Sequence, residues 1–425
     1  MSRYRTPLAL LVVLTFLGGL TAAAVPDEPE TAPARAAEVR SLLDRRAAAL
    51  LARDEAAFTA DLDPLADAGF RQRQRDLFHN LAAVPLAEWG YRLGDDGTDL
   101  SSPTPPAEPT PPAEPTPPAD EAWAPGVRLS YRLRGVDVEP SDQGMAYLFT
   151  RRGDRWYLNS DTALEPLGRR TWRGPWDFGP CVVHRGPGGF VLSHPGGEVL
   201  ARRALAELDG AVRAVTEVWG QAWARQVAVL VPSGVEEMRA LVGPGFATGA
   251  IAGVAVADRV DPATRTARGQ RVVLNPDSAG ALSPIALRVL LRHEITHVAV
   301  RGETVDGAPM WLLEGFADYV GYRNSDVPPK RAAPLLAAAV REAPPTGLPR
   351  DEDFRGPDLE LAYQQAWSLT AYLASVLGEP GLVELYRRLA RARASEVDDL
   401  LPELTGWGVA ELVEGWRGYL AATFP

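Results

Sequence analysis

The sequence predicts an α+β protein in two parts, on three observations. Helical patterns precede a run of alternating strands in the first 165 or so residues, a segment dense in Trp, Gly and Pro follows, and mixed helix and strand signals then give way to a wholly helical end. With 425 residues, 46% of them hydrophobic and 23% charged, the chain has ordinary globular composition and room for more than one core.

The first segment, "MSRYRTPLALLVVLTFLGGLTAAAVPDEPE", sets Arg3 and Arg5 before an apolar run from Pro7 to Val25. It reads as an export signal over residues 1–25. Ala22 and Ala24 offer a cleavage site, while the run is also nearly long enough to serve as an uncleaved membrane anchor through residues 7–25. On either reading the body is extracytoplasmic, secreted or held at the cell surface. Cys181 is the only cysteine, which excludes an intramolecular disulfide and reads best as a small buried hydrophobe. The formal charge of −11, with no basic run, argues against nucleic acid as a partner.

Residues 36–167 read as one α+β domain. "AEVRSLLDRRAAALLARDEAAFT" (37–59) carries Leu42, Leu43, Ala47, Leu50 and Leu51 at helical spacing, and "FRQRQRDLFHNLAAVPLAEWGYRL" continues as a second helical stretch running into a strand. "VRLSYRLRGVDV", "GMAYLFTRR" and "DRWYLNSDT" alternate as antiparallel strands. Between helices and strands lies "SPTPPAEPTPPAEPTPPAD" (102–120), whose prolines forbid helix and ladder and predict a polyproline II loop. These helices and strands resemble a nuclear-transport-factor-2-like, or cystatin-like, cone. That likeness implies a fold and no particular activity.

After a boundary loop at 168–180, residues 178–425 form the second domain. It opens with Gly-rich "CVVHRGPGGFVLSHPG", in which His184 and His194 read as surface or turn residues; His79, on the earlier helix, has no identifiable partner. A helix at 198–219, the strand "QVAVLVP", the helix "SGVEEMRALVG" and the β-rich runs "AIAGVAVADRV" and "QRVVLNP" lead into "LSPIALRVLLRHEITHVAVRG". Ser283 and Pro284 begin a helix there. On it Ala286, Leu290, His293 and His297 share a stripe, with Glu294 turned about 100° from His293. Two imidazoles four apart can meet one ion, and the carboxylate beside them can take a proton from a water on it. Two core histidines would instead need a partner for each ring and leave the glutamate without a use.

Two histidines leave a catalytic zinc one protein ligand short. "APMWLLEGFADYVGY" offers Glu314, set among Leu313, Phe316 and Ala317, where an ionised carboxylate is costly without a cation. Asp318, one turn on, is placed to accept an N–H from a ligating histidine. The alternative is an amphipathic helix with both carboxylates solvated. "RAAPLLAAAVREA", "LAYQQAWSLTAYLASVLG", "PGLVELYRRLARA" and "GVAELVEGWRGYLAATF" read as closing helices. Tyr363 begins one of them, either as a phenol donor for an oxyanion or as a packed aromatic.

"HEITH" with the downstream "WLLEGFADYV" resembles the gluzincin branch of zincin metallopeptidases, the peptidase MA-like group, over roughly residues 180 to 425. The resemblance implies a zincin-like fold with a helical C-terminal half. It makes His293, His297 and Glu314 the ligands of Zn2+, Glu294 the general base and Asp318 the carboxylate that orients a ligand. It also implies a peptide or protein substrate lying antiparallel along "RVVLNP" as an edge strand. The G-x-M-E-N motif of gluzincin aminopeptidases is absent, which favours endopeptidase action. Two other readings stay open: a zincin fold kept as an inactive cell-surface binding protein, and a zinc hydrolase of a non-peptide amide.

Overall fold

A computed structural model describes residues 31–94, 98, 99, 119–243 and 251–425. The segment at residues 1–25 and residues 102–118 of the proline-rich stretch lie outside them. Among the described residues no helix is long and apolar enough to cross a membrane. Among the described residues helix and strand are mixed as far as Leu274, and only helices follow.

The first part comprises α1 (Thr31–Ala52), α2 (Glu55–Thr59) and α3 (Ala68–Asn80), then strands β1 (Leu86–Leu93), β2 (Thr98–Asp99), β3 (Glu121–Ala124), β4 (Val127–Leu133), β5 (Ser141–Met145), β6 (Leu148–Arg152) and β7 (Arg155–Ser160). The helix expected over 37–59 is broken in two. Arg53 takes a left-handed φ of 58°, and Asp54 caps the next helix by accepting from the Ala57 amide at 2.9 Å. The second helical stretch runs to Asn80 and tightens into a single 3-10 turn over Leu81–Ala83, and Pro85 then holds Val84 extended at a ψ of 129°. The strands form two antiparallel sheets, ordered β1-β4-β5 and β2-β3-β6-β7.

The second part holds β8 (Val182–Gly186), β9 (Gly189–Ser193), α4 (Glu198–Trp219), β10 (Val227–Leu230), α5 (Val235–Val242), β11 (Gly253–Val256), β12 (Arg259–Asp261), β13 (Thr266–Arg268) and β14 (Arg271–Leu274). Helices follow: α6 (Pro276–Gly280), α7 (Pro284–Val300), α8 (Met310–Tyr322), α9 (Pro329–Ala332), α10 (Pro334–Ala339), α11 (Leu359–Leu389), α12 (Val397–Thr405) and α13 (Val409–Thr423). α11 breaks at Gly378, whose φ of 70° suits glycine and whose neighbour but one is Pro380.

One sheet of order β11-β14-β10-β9-β8 organises this part, with β9, β10 and β14 parallel and the outer strands β8 and β11 antiparallel to their neighbours. The sequence reading placed "RVVLNP" at the edge; the structure corrects it. β14 lies second, and β11 is the edge strand.

Side chains alternate across this sheet as the two-residue period requires. Val191, Val227, Val229, Val272 and Leu274 face a core shared with α4, α7 and α8. Phe190, Leu192, Ala228, Leu230 and Val273 face the other way, into a core continuous with α1, α3, β1 and β4. The first part thus covers the open face of the second part's sheet. Trp172 and Trp176, in the segment expected to be a boundary loop, pack against Tyr131 with ring centroids at 5.5 and 5.4 Å. A buried ion pair between Arg271 on β14 and Asp137 after β4, at 2.6 Å, also joins the two parts.

Candidate metal centre

α7 begins where Ser283 Oγ accepts from the Ala286 amide at 3.2 Å, with Pro284 in the first turn. Leu287, Leu291, Ile295 and Val298 bury one side of it, which turns His293 and His297 toward α8. α8 is fixed at its start by Asp351, whose carboxylate accepts from the Met310 amide at 2.8 Å. Two glycines let it sit close to both neighbours. A Cβ on Gly321 would lie 3.1 Å from the Val289 carbonyl of α7, and one on Gly315 would lie 2.5 Å from the Ala366 carbonyl and 2.5 Å from Thr370 Oγ1 of α11. Gly315→Ala must therefore push α8, and Glu314 beside it, away from α11. It is expected to destabilise the fold by about 1–3 kcal/mol, as overpacking does, and to weaken metal binding at the adjacent Glu314. Thermal melts and a zinc titration of the variant check this.

The three candidate donors converge. His293 Nε2 lies 3.1 Å from His297 Nε2 and 3.3 Å from Glu314 Oε2, and His297 Nε2 lies 3.5 Å from the same oxygen. Zinc bonds of about 2.0–2.1 Å in a tetrahedron put ligand atoms roughly 3.3–3.4 Å apart, so one nitrogen–nitrogen–oxygen triangle of this size fits the ion. Among the described residues this is the one group of His, Cys, Asp and Glu donors with such convergence. All three are largely buried, with side-chain exposures of 12%, 23% and 13% in chain order.

Asp318 Oδ1 accepts from His293 Nδ1 at 2.8 Å. That bond fixes the tautomer and leaves the Nε2 lone pair facing His297 and Glu314. Burial opposes charge on His293, but Asp318, Glu314 and Glu294 outweigh it and hold its pKa well above the ordinary histidine value. Glu314 is moved in the opposite sense: burial raises its pKa, yet His297 and His293 outweigh that and hold it far below the usual carboxylate range. Zinc has to displace a proton from the His293 ring, so its affinity is expected to fall as pH is lowered. Asp318→Asn, which keeps a hydrogen-bonding group but loses the charge, is expected to weaken zinc by about 10- to 100-fold. A chelator competition on both proteins across pH reads the two effects together.

Glu294 is 6% exposed, and burial raises its pKa against the lowering pull of His293 and His297. The Ala255 amide on β11 lies beside its carboxylate and also pulls that pKa down, a contact that the sequence reading missed. Tyr363, half-buried on α11, reaches the same place. Its phenol lies against Glu314, and burial together with Glu314, Asp318 and Glu294 pushes its pKa well above 10. Phe354 holds the ring edge-on at 5.3 Å.

The remaining histidines stand apart. His79 is exposed and meets Glu55 at 3.2 Å, and His184 is half-buried on β8. His194 is buried, contrary to the expectation of a surface or turn residue. Its Nε2 meets Glu237 at 2.9 Å and its Nδ1 meets the Pro180 carbonyl at 3.0 Å, so distant partners satisfy both ring nitrogens. Cys181 is buried and free, its thiol pushed up to about 12 by burial, which suits an inert small hydrophobe.

No family model matches the chain. No curated protein matches it either. Among solved structures it is similar to native yeast LTA4 hydrolase, at 12% identity and a TM-score of 0.35, over 64% of this chain and 43% of that one. The chain thus matches less than half the length of that protein.

Proposed function

We propose that the chain is a zinc-dependent hydrolase of peptide bonds, a gluzincin-type metallopeptidase that acts as an endopeptidase outside the cytoplasm. The observation that carries this reading is the donor triangle of His293, His297 and Glu314, with Asp318 behind one imidazole and Glu294 beside both.

Zinc, held by His293, His297 and Glu314, would supply a water of lowered pKa, near about 7, and a positive charge to polarise the carbonyl under attack. Glu294, buried and with its proton affinity raised, is suited to take the proton of that water and pass it to the leaving amine. The Tyr363 phenol stays protonated at neutral pH and is aimed at the same place, a donor for the oxyanion that develops there.

β11 supports a peptide substrate. Asn275 N–H donates to the Ala252 carbonyl at 2.9 Å, and alternation along an antiparallel ladder then turns the amides of Gly253 and Ala255 to the free edge. Glu294 lies beside one of those outward amides, that of Ala255, so an extended chain added to β11 would pass directly by it. Arg3, Arg5 and the apolar run after them support export, with residues 7–25 either removed or kept as an anchor. The absence of G-x-M-E-N supports cleavage within chains. Digestion of a mixed peptide library by the zinc-loaded protein, read against a Glu294→Gln control, tests the proposal: internal cleavages confined to the wild type support it, and identical spectra refute it.

A further inference from the structure

The register of β11 also gives the site a direction. A substrate strand antiparallel to β11 runs from the Val256 end toward Gly253, so residues after the cleaved bond lie toward Gly253. A Cβ on Gly253 would be 3.4 Å from the Leu290 methyl carbons, one turn before Glu294 on α7. α8 runs antiparallel to α7, since Glu314 meets His297 and His293, Asp318 meets His293, and Gly321 meets Val289. Tyr322, at the end of α8, is therefore at that same end of the cleft.

There Tyr322 pairs with Trp367 of α11, ring centroids 5.6 Å apart and tilted 59°, both half-buried. Glu360 stands on the same face of α11, two turns before Trp367, and is exposed. Its Oε1 accepts from Gln364 Nε2 at 3.2 Å, and Gln364 is itself buried and tied to the Leu336 amide at 3.0 Å. The carboxylate is thus held in place, and among the described residues no arginine or lysine pairs with it. Its charge, like that of Asp318, is felt at Tyr322.

We infer that Tyr322, Trp367 and Glu360 select a basic side chain on the residue that follows the cleaved bond. This rests on the peptidase reading above. The two rings alone would suit any large apolar group. The fixed, unpaired carboxylate separates the cases, because a lysine or arginine lays its aliphatic stem on aromatic faces and carries its cation on to an acid. An acidic residue at the same position meets only like charge.

The test is binding to the zinc-loaded Glu294→Gln protein, followed by calorimetry. Its probes are three peptides that differ only in Lys, Phe or Glu after the scissile position, and a glycine hydroxamate that needs no side-chain subsite. Lys is expected to bind best and at least about tenfold tighter than Glu. Adding Glu360→Gln should bring Lys down to Phe without moving Phe. Glu360→Lys should invert the order of Lys and Glu, and Trp367→Ala should weaken Lys and Phe alike. Affinities indifferent to the charge at residue 360, or Phe tightest throughout, overturn the inference while hydroxamate binding keeps the metal centre standing. Loss of hydroxamate binding as well would remove the peptidase reading together with it.

Discussion

Glu294→Gln is expected to abolish peptide hydrolysis while leaving zinc in place. General acid–base catalysis contributes about 10²- to 10⁴-fold, and here one carboxylate serves both proton transfers, so the loss should reach the upper end of that range. The amide is nearly isosteric. It can still meet the Ala255 backbone, and it takes no part in the donor triangle of His293, His297 and Glu314. Metal content and melting temperature should therefore match wild type. A variant that loses zinc in step with activity would show that Glu294 is a structural partner of the site and not its base.

The second large effect concerns the first part of the chain. A protein begun at residue 178 would expose the face of the sheet formed by Phe190, Leu192, Leu230 and Val273. Burying a large apolar side chain contributes about 1.5–3 kcal/mol, so four such residues approach the whole stability of a domain, about 5–15 kcal/mol. The truncated protein is expected to be insoluble or to lack a cooperative melt. Arg271 would also lose Asp137, its buried counter-charge. A soluble, cooperatively folding 178–425 fragment that binds zinc would mean that the first part is dispensable for the fold. Circular dichroism with sedimentation on the fragment decides.

What could be read from the sequence follows how local each signal is. His293, Glu294 and His297 are set by the helical period over five residues, and Ser283 and Pro284 announce the helix that carries them. Glu314 stood out because an ionised carboxylate among apolar neighbours is costly without a cation, and Asp318 because it lies one turn on, with a solvated acidic face as the alternative; the structure brings both to His293. Tyr363 lies much further along the chain and could be read only as one of two things, since its approach to Glu314 depends on how α11 crosses α8 at Gly315. β11 and β14 present the same local pattern of a few apolar residues. Strand order, which pairing across the sheet alone decides, was thus not legible, and the Ala255 amide went unseen with it. His194 looked like a turn residue for the same reason: its partner Glu237 is on a helix far along the chain.

The central claim is that three side chains hold one zinc. The most direct measurement is metal content by plasma mass spectrometry after exhaustive dialysis against metal-free buffer, on wild type and on His293→Ala, His297→Ala and Glu314→Ala. The account expects close to one zinc per chain in the wild type and a small fraction of that in each variant, with circular dichroism unchanged. Equal zinc in the wild type and Glu314→Ala, or none in a folded wild type offered the metal, would contradict it.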